Sequence, residues 1–81
     1  METTTYYTSN KGSYSEFCEE IDDYLPKCHK ILLNDRIYNG DISHLYKLEA
    51  DAKISLYMRK WLINIYYNHC QQMITVDYYE V

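Results

Sequence analysis

The sequence predicts a mainly α-helical single domain over residues 1–81, with two short helices, one long C-terminal helix and, as an open addition, short terminal strands. Three observations favour this fold class. A chain of 81 residues fits one domain. Apolar residues recur three and four positions apart between residues 14 and 25, and neither Gly nor Pro interrupts residues 41–72. The 47% hydrophobic content and the scarcity of Gly and Pro exclude a disordered chain.

The first helix follows from a capping signal and an apolar face. Ser13-Tyr14-Ser15-Glu16 has the spacing of a capping box, in which the serine and the glutamate each bond a free backbone amide. The apolar face that follows consists of Tyr14, Phe17, Cys18, Ile21, Tyr24 and Leu25. Pro26 disfavours helical geometry at the preceding residue, so we expect the helix to end or kink there.

Both termini have a mixed pattern. Residues 1–12 contain a β-branched and aromatic run followed by Ser9-Asn10-Lys11-Gly12, which is typical of a turn. A short strand and a disordered terminus are both compatible with it. Residues 73–81 alternate in part and are rich in β-branched residues, so they form either a strand that pairs with residues 3–8 or an extended tail.

The segment from Lys27 to Tyr38 is predicted as a second helix, because Pro26 suits a first helical position and Asn39-Gly40 suits a helix end. The alternative over residues 31–38 is a hairpin that turns at Asn34-Asp35. Periodicity over so short a stretch does not separate the two.

The long helix is predicted from Asp41 to about Gln72, where Glu49 and Lys53 have i,i+4 spacing. About 30 helical residues extend roughly 45 Å at about 1.5 Å per residue, which exceeds the width of so small a domain. We therefore expect one of its apolar stripes to mediate a homodimer, since uncovered apolar patches usually mark interfaces. The interface candidates are Tyr46, Ile54, Tyr57, Trp61 and Ile65. The alternative is that residues 61–67 form the buried centre of a monomer.

Charge and composition limit the classes of partner. The formal net charge of −4 disfavours nucleic acids and acidic membranes. No apolar run is long enough to span a bilayer, and residues 1–10 lack the pattern of a secretion signal. The three cysteines are an odd number, which favours reduced thiols and a cytoplasmic location.

Cys28-His29 and His69-Cys70 are the only pairs with the chemistry of zinc ligands. Neighbouring helical residues point about 100° apart, so both members of a pair rarely reach one ion, and C-x-x-C spacing is missing. Whether the two pairs meet in space does not follow from the sequence. We expect no metal, no cofactor and no catalytic residue, because no nucleophile or phosphate-loop motif is present.

The best-defined charged feature is the acidic side of the first helix. Its five carboxylates belong to Glu16, Glu19, Glu20, Asp22 and Asp23, and no Lys or Arg lies between Gly12 and Pro26. Carboxylates on a rigid helix can occupy a basic groove in the way that phosphates do. The predicted function is therefore a non-enzymatic interaction protein whose protein partner has a basic surface. A solvated helix face is the simpler interpretation of the same residues.

In size, acidity and tyrosine content, the chain resembles the small inhibitors that phages and mobile elements carry against host nucleic-acid enzymes, including anti-CRISPR proteins. The likeness is one of bulk character, and it implies a viral protein acting in the host cytoplasm. The alternative function is a small dimeric nucleic-acid-binding regulator that contacts DNA or RNA through Lys53, Arg59 and Lys60 of the long helix.

Overall fold

The computed structural model describes residues 2–40, 42 and 49–81. These residues form a six-stranded sheet in the order β1-β6-β5-β4-β2-β3, and every neighbouring pair is antiparallel. The strands are β1 (Glu2–Tyr7), β2 (Lys30–Leu33), β3 (Arg36–Ile37), β4 (Ala52–Tyr57), β5 (Trp61–Asn68) and β6 (Met73–Glu80). One α-helix, α1 (Lys11–Tyr24), and a 3-10 turn (Leu25–Lys27) connect β1 to β2. The prediction of a mainly α-helical domain is therefore wrong.

The predicted long helix is replaced over its described part by the hairpin of β4 and β5. Its buried apolar residues alternate along each strand: Ile54 and Leu56 on β4 pair with Ile65 and Ile63 on β5. The hairpin closes where the backbone N–H of Met58 donates to the carbonyl of Trp61 at 2.9 Å. The apolar residues of this run fit both the helical and the strand periodicity. The strand conformation is adopted because β6 and β2 complete the hydrogen-bond ladders on either side of the hairpin.

The segment predicted as a second helix is the hairpin of β2 and β3, which was the alternative. Its two-residue turn places Asn34 at φ 49° and Asp35 at φ 67°. Positive φ at both central residues suits the right-handed twist of the flanking strands, and Asn and Asp tolerate it better than most residues. The side-chain oxygen of Asn34 also accepts a hydrogen bond from the backbone N–H of Lys53 at 2.9 Å, which ties the turn to β4.

Helix α1 confirms the first predicted helix and ends at Tyr24, just before Pro26. Leu25 nevertheless keeps helical dihedral angles and the chain continues as a 3-10 turn, and the predicted capping box is wrong. The N-cap is Asn10, whose side chain accepts from the backbone N–H of Ser13 at 3.0 Å. The Ser13 hydroxyl instead accepts from the backbone N–H of Tyr7 at 3.0 Å, which ties the helix start to β1. The N-cap therefore lies three residues before the predicted one.

The core lies between α1 and one face of the sheet. Phe17 and Ile21 of α1 are buried there against the alternating residues of the central strands. The pairing of β1 with β6 confirms the strand interpretation of both termini, from Glu2 opposite Tyr78 to Tyr7 opposite Met73. This arrangement holds the outer side of α1 and the opposite face of the sheet away from the core.

Candidate functional site: the acidic ridge on helix α1

The five carboxylates predicted as a partner-binding face lie on the outer side of α1. Glu16, Glu19, Asp22 and Asp23 are exposed, whereas Glu20 is half-buried. At about 100° per residue they cover the side of the helix that faces away from Phe17 and Ile21. From the first to the last, they extend over roughly 10 Å of helix axis at about 1.5 Å per residue. We call these five residues the acidic ridge.

The ridge carboxylates are not held in ion pairs by the cations that the structure describes. The ion pair found among the described residues joins Lys53 and Asp35, at 3.9 Å, on the far side of the sheet. The ridge carboxylates have no such pair with a described Lys or Arg. Their charge is therefore available to a partner, at the cost of mutual repulsion along the helix that the sequence does little to relieve.

Glu20 differs from the other ridge residues, because it also holds the helix to the sheet. The hydroxyl of Tyr6, on β1, donates a hydrogen bond to the Glu20 carboxylate. The Tyr6 ring packs against Phe17 with centroids 5.4 Å apart. Burial, followed by the hydrogen bond to Glu20, raises the pKa of Tyr6 well above its usual range. Glu20 thus combines a structural contact with a place at the edge of the ridge.

The five dimer-interface candidates do not share one surface. Ile54 and Ile65 are 1% and 0% exposed, in the core, whereas Tyr57 is on the opposite face of the sheet. Trp61 is 47% exposed at one end of the sheet, and Tyr46 lies outside the described residues. These residues were grouped by helical spacing, and the same spacing places them on different faces of a strand. Self-association itself stays a prediction.

Trp61 lines a cavity of about 420 Å³ between α1 and the end of the sheet. Its walls include two residues of the helix, Glu20 and Tyr24, as well as Glu2 and Tyr78 from the neighbouring strands. The sequence alone did not predict this cavity, because its walls include residues more than 70 positions apart. The pairing of β1 with β6, left open by the sequence, was the signal that could have found it.

The face of the sheet opposite α1 carries a second group of aromatic and basic residues. The Lys30 ammonium lies 4.4 Å from the centre of the Tyr57 ring, and the Lys53 ammonium lies 5.9 Å from that of Tyr66. Between them, the Ser55 hydroxyl donates to Asn64 at 2.8 Å. We call this the open sheet face. Of the cations assigned to nucleic acid, Lys53 lies on this face, whereas Arg59 and Lys60 lie in the turn between β4 and β5.

The two Cys-His pairs lie at opposite ends of the sheet. His29 donates its backbone N–H to Tyr57, at the turn end of β4, whereas His69 follows the other end of β5. About seven strand residues separate these levels, or roughly 23 Å at about 3.3 Å per residue. Within the described part of the chain, no group of three or more His, Cys, Asp and Glu side chains is placed to hold a metal. Cys28 instead donates its thiol to the Tyr24 carbonyl at 3.3 Å.

No protein-family model, curated protein or solved structure matches this chain. No functional residue is therefore carried over from another protein. Among the described residues, no helix is long and apolar enough to cross a membrane.

Proposed function

We propose that this chain is a non-enzymatic interaction protein that binds a protein partner with a basic surface through the acidic ridge. The observation that supports the proposal most is the exposure of Glu16, Glu19, Asp22 and Asp23 on one regular helix, with no ion pair to a described Lys or Arg. Helix α1 is held by buried contacts on its inner side, so the charges keep fixed relative positions before a partner arrives. Such preorganisation lowers the entropic cost of association.

The charge distribution of the molecule favours an oriented encounter. The ridge residues lie on one side of the molecule, while Lys30, Lys53 and Arg36 lie on the sheet or at its edge. A basic partner surface is attracted to the ridge side, which speeds association and favours one orientation. An inhibitor of the phage or mobile-element kind, which blocks a nucleic-acid-handling protein in the host cytoplasm, is the narrower form of this proposal.

The test begins with capture of a partner from a host lysate on the immobilised chain, followed by binding to two matched variants. The ridge variant combines Glu19→Lys with Asp22→Lys, both at exposed positions. The control combines Glu49→Lys with Asp35→Lys, which are exposed positions outside both the ridge and the surroundings of Trp61. Each reversal raises the net charge by two, so both variants are neutral where the natural chain is −4. Glu20 is left unchanged because it accepts from Tyr6.

We expect the ridge variant to lose the partner and the control to retain it, with the circular-dichroism spectrum of both unchanged. At roughly tenfold per reversed charge, two reversals weaken binding about 100-fold. Equal loss in both variants would mean that net charge alone drives binding. Equal retention would remove the ridge from the mechanism.

The open sheet face supports a second candidate function, the binding of single-stranded nucleic acid. Aromatic rings beside lysines on a sheet can stack bases and contact phosphates. On this face the exposed Tyr66 lies beside Lys53, and the partly buried Tyr57 lies beside Lys30. The net charge of −4 opposes it. A labelled single-stranded RNA that binds at low salt, and binds at least about fivefold more weakly to Tyr57→Ala, would favour this function. No change in anisotropy at low salt would dispose of it.

A further inference from the structure

The cavity at Trp61 has walls of two kinds, aromatic rings and carboxylates. We call it the Trp61 cavity and define it by Glu2, Glu20, Tyr24, Lys27, Trp61 and Tyr78. It lies where the last turns of α1 pass over the ends of β1, β5 and β6. Its volume of about 420 Å³ is within the range of about 300–1,000 Å³ that is usual for ligand sites.

The aromatic wall consists of Trp61, Tyr24 and Tyr78. The rings of Tyr24 and Tyr78 are tilted by 56° with centroids 6.1 Å apart, and Trp61 is 47% exposed beside them. The Tyr78 hydroxyl is buried, so Tyr78 presents ring atoms to the cavity rather than its polar group. Ring faces attract cations through their quadrupole, most strongly for Trp.

The charged wall gives the cavity a negative potential. Glu2 and Glu20 contribute two carboxylates, against the single ammonium of Lys27. The pKa of Tyr24 reflects this field, because it is raised first by burial and then by the charges of Glu20, Asp23 and Glu2. A cation entering the cavity therefore meets carboxylates and aromatic faces together.

We propose that the Trp61 cavity accepts an arginine side chain of the protein partner. A planar guanidinium can stack on an aromatic ring and bond a carboxylate at the same time, which an ammonium does less well. Glu20 belongs both to the cavity and to the acidic ridge, so a basic surface that lies on the ridge brings its side chains to the cavity mouth. The inference rests on the proposed function, and it adds the residue that gives the contact its specificity.

The test uses Trp61 as its own reporter, because it is the single tryptophan of the chain. The natural protein is titrated with the peptide acetyl-Gly-Arg-Gly-amide at constant ionic strength while tryptophan emission is recorded. The matched probe replaces arginine with citrulline, which has nearly the same shape and no charge. We expect a saturable change in emission with the arginine peptide and at least about a tenfold weaker response with the citrulline peptide.

Two charge variants should move the affinity in opposite directions. Glu2→Gln removes one carboxylate and is expected to weaken arginine binding about threefold, whereas Lys27→Gln removes the opposing ammonium and should strengthen it by a similar factor. Both positions are exposed, so neither change disturbs the core. Glu49→Gln, at an exposed position away from the cavity, is the control and should leave binding unchanged.

Equal responses to the two peptides, or no saturable response to arginine, would overturn the inference. So would shifts of the same sign in the Glu2 and Lys27 variants. Tetramethylammonium serves as a third probe, and tighter binding of that ion than of the arginine peptide would contradict the choice of arginine. If these titrations fail while the ridge variant still loses its partner, the cavity inference fails and the ridge proposal stands.

Discussion

Two tyrosines at the junction of α1 and the sheet provide a sensitive test of the packing, because one buried hydroxyl has a partner and the other has none among the described residues. The hydroxyl of Tyr6 donates to Glu20, whereas that of Tyr78 is buried and has no hydrogen bond to the described part of the chain. Tyr6→Phe and Tyr78→Phe each remove one oxygen and leave the ring in place. The two substitutions should therefore change stability in opposite directions.

The magnitudes follow from what each hydroxyl does. Tyr6→Phe removes a hydrogen bond to a carboxylate, which costs about 1.5 kcal/mol once the half-exposed Glu20 has recovered water. Tyr78→Phe removes a hydroxyl that loses its hydrogen bonds to water on folding and forms none with the described residues. Its removal should stabilise the fold by up to about 1 kcal/mol. At about 4–8 °C per kcal/mol for a domain of this size, the two Tm values should differ by roughly 10–20 °C.

The assay is thermal unfolding followed by circular dichroism, with Tyr66→Phe as the matched control. Tyr66 is 38% exposed on the open sheet face, so the loss of its hydroxyl should change stability by no more than about 0.5 kcal/mol. Equal destabilisation by the Tyr6 and Tyr78 variants would refute the reasoning, since it would show that both hydroxyls have partners of similar strength.

Three further outcomes follow from the core, a turn and the thiols. Burial raises the pKa of Tyr14 to about 12, so the folded chain favours the neutral phenol. The resulting contribution to the free energy of unfolding is fully present below the ordinary tyrosine pKa of 10.0. It is lost as the pH rises through about 12. The urea midpoint should fall across this range, and a constant midpoint would contradict it. Asn34→Ala should cost about 1–3 kcal/mol in urea unfolding, because alanine tolerates φ 49° poorly and removes an acceptor; a change below about 0.5 kcal/mol would contradict this. In the native protein a disulfide reagent should label Cys70 first, since Cys70 is exposed while burial raises the pKa of Cys18 and Cys28; equal rates would contradict this.

The parts of the fold that the sequence predicted correctly are those set by local signals. Apolar spacing from Tyr14 to Leu25 identified α1, and Pro26 identified its end. The cap was misplaced because Asn10 lies within a segment that also suits a turn, and its side chain rather than that of Ser13 takes the free amide. Both Asn10 and Ser13 have side chains that can cap a helix. The Ser13 hydroxyl is not available for capping, because it accepts a hydrogen bond from the backbone N–H of Tyr7.

The hairpin of β4 and β5 was missed because its turn lacks the residues that usually mark one. Arg59 and Lys60 form that turn without Gly, Pro or Asn, so an unbroken apolar run was assigned to a helix. The Glu49–Lys53 spacing taken as helical support is instead incidental, and Lys53 lies near Asp35. Enrichment in β-branched and aromatic residues from 61 to 67 was the signal that favoured strands.

The candidate sites divide in the same way. The acidic ridge is a property of one helix, so its five residues could be identified from sequence alone. The Trp61 cavity needs Glu2, Glu20 and Trp61 to meet, which depends on strand pairing between distant segments. Long-range pairing is the information that single-sequence periodicity does not contain.

The central claim, that exposed helix carboxylates drive partner binding, is tested most directly by calorimetric titration of the purified partner at about 50 mM and about 500 mM salt. The natural chain should bind strongly at the lower salt concentration and markedly more weakly at the higher one, because salt screens exposed charges. The variant that combines Glu19→Lys with Asp22→Lys should bind about 100-fold more weakly at low salt, with little further dependence on salt. Affinity that is the same for both proteins and insensitive to salt would contradict the claim.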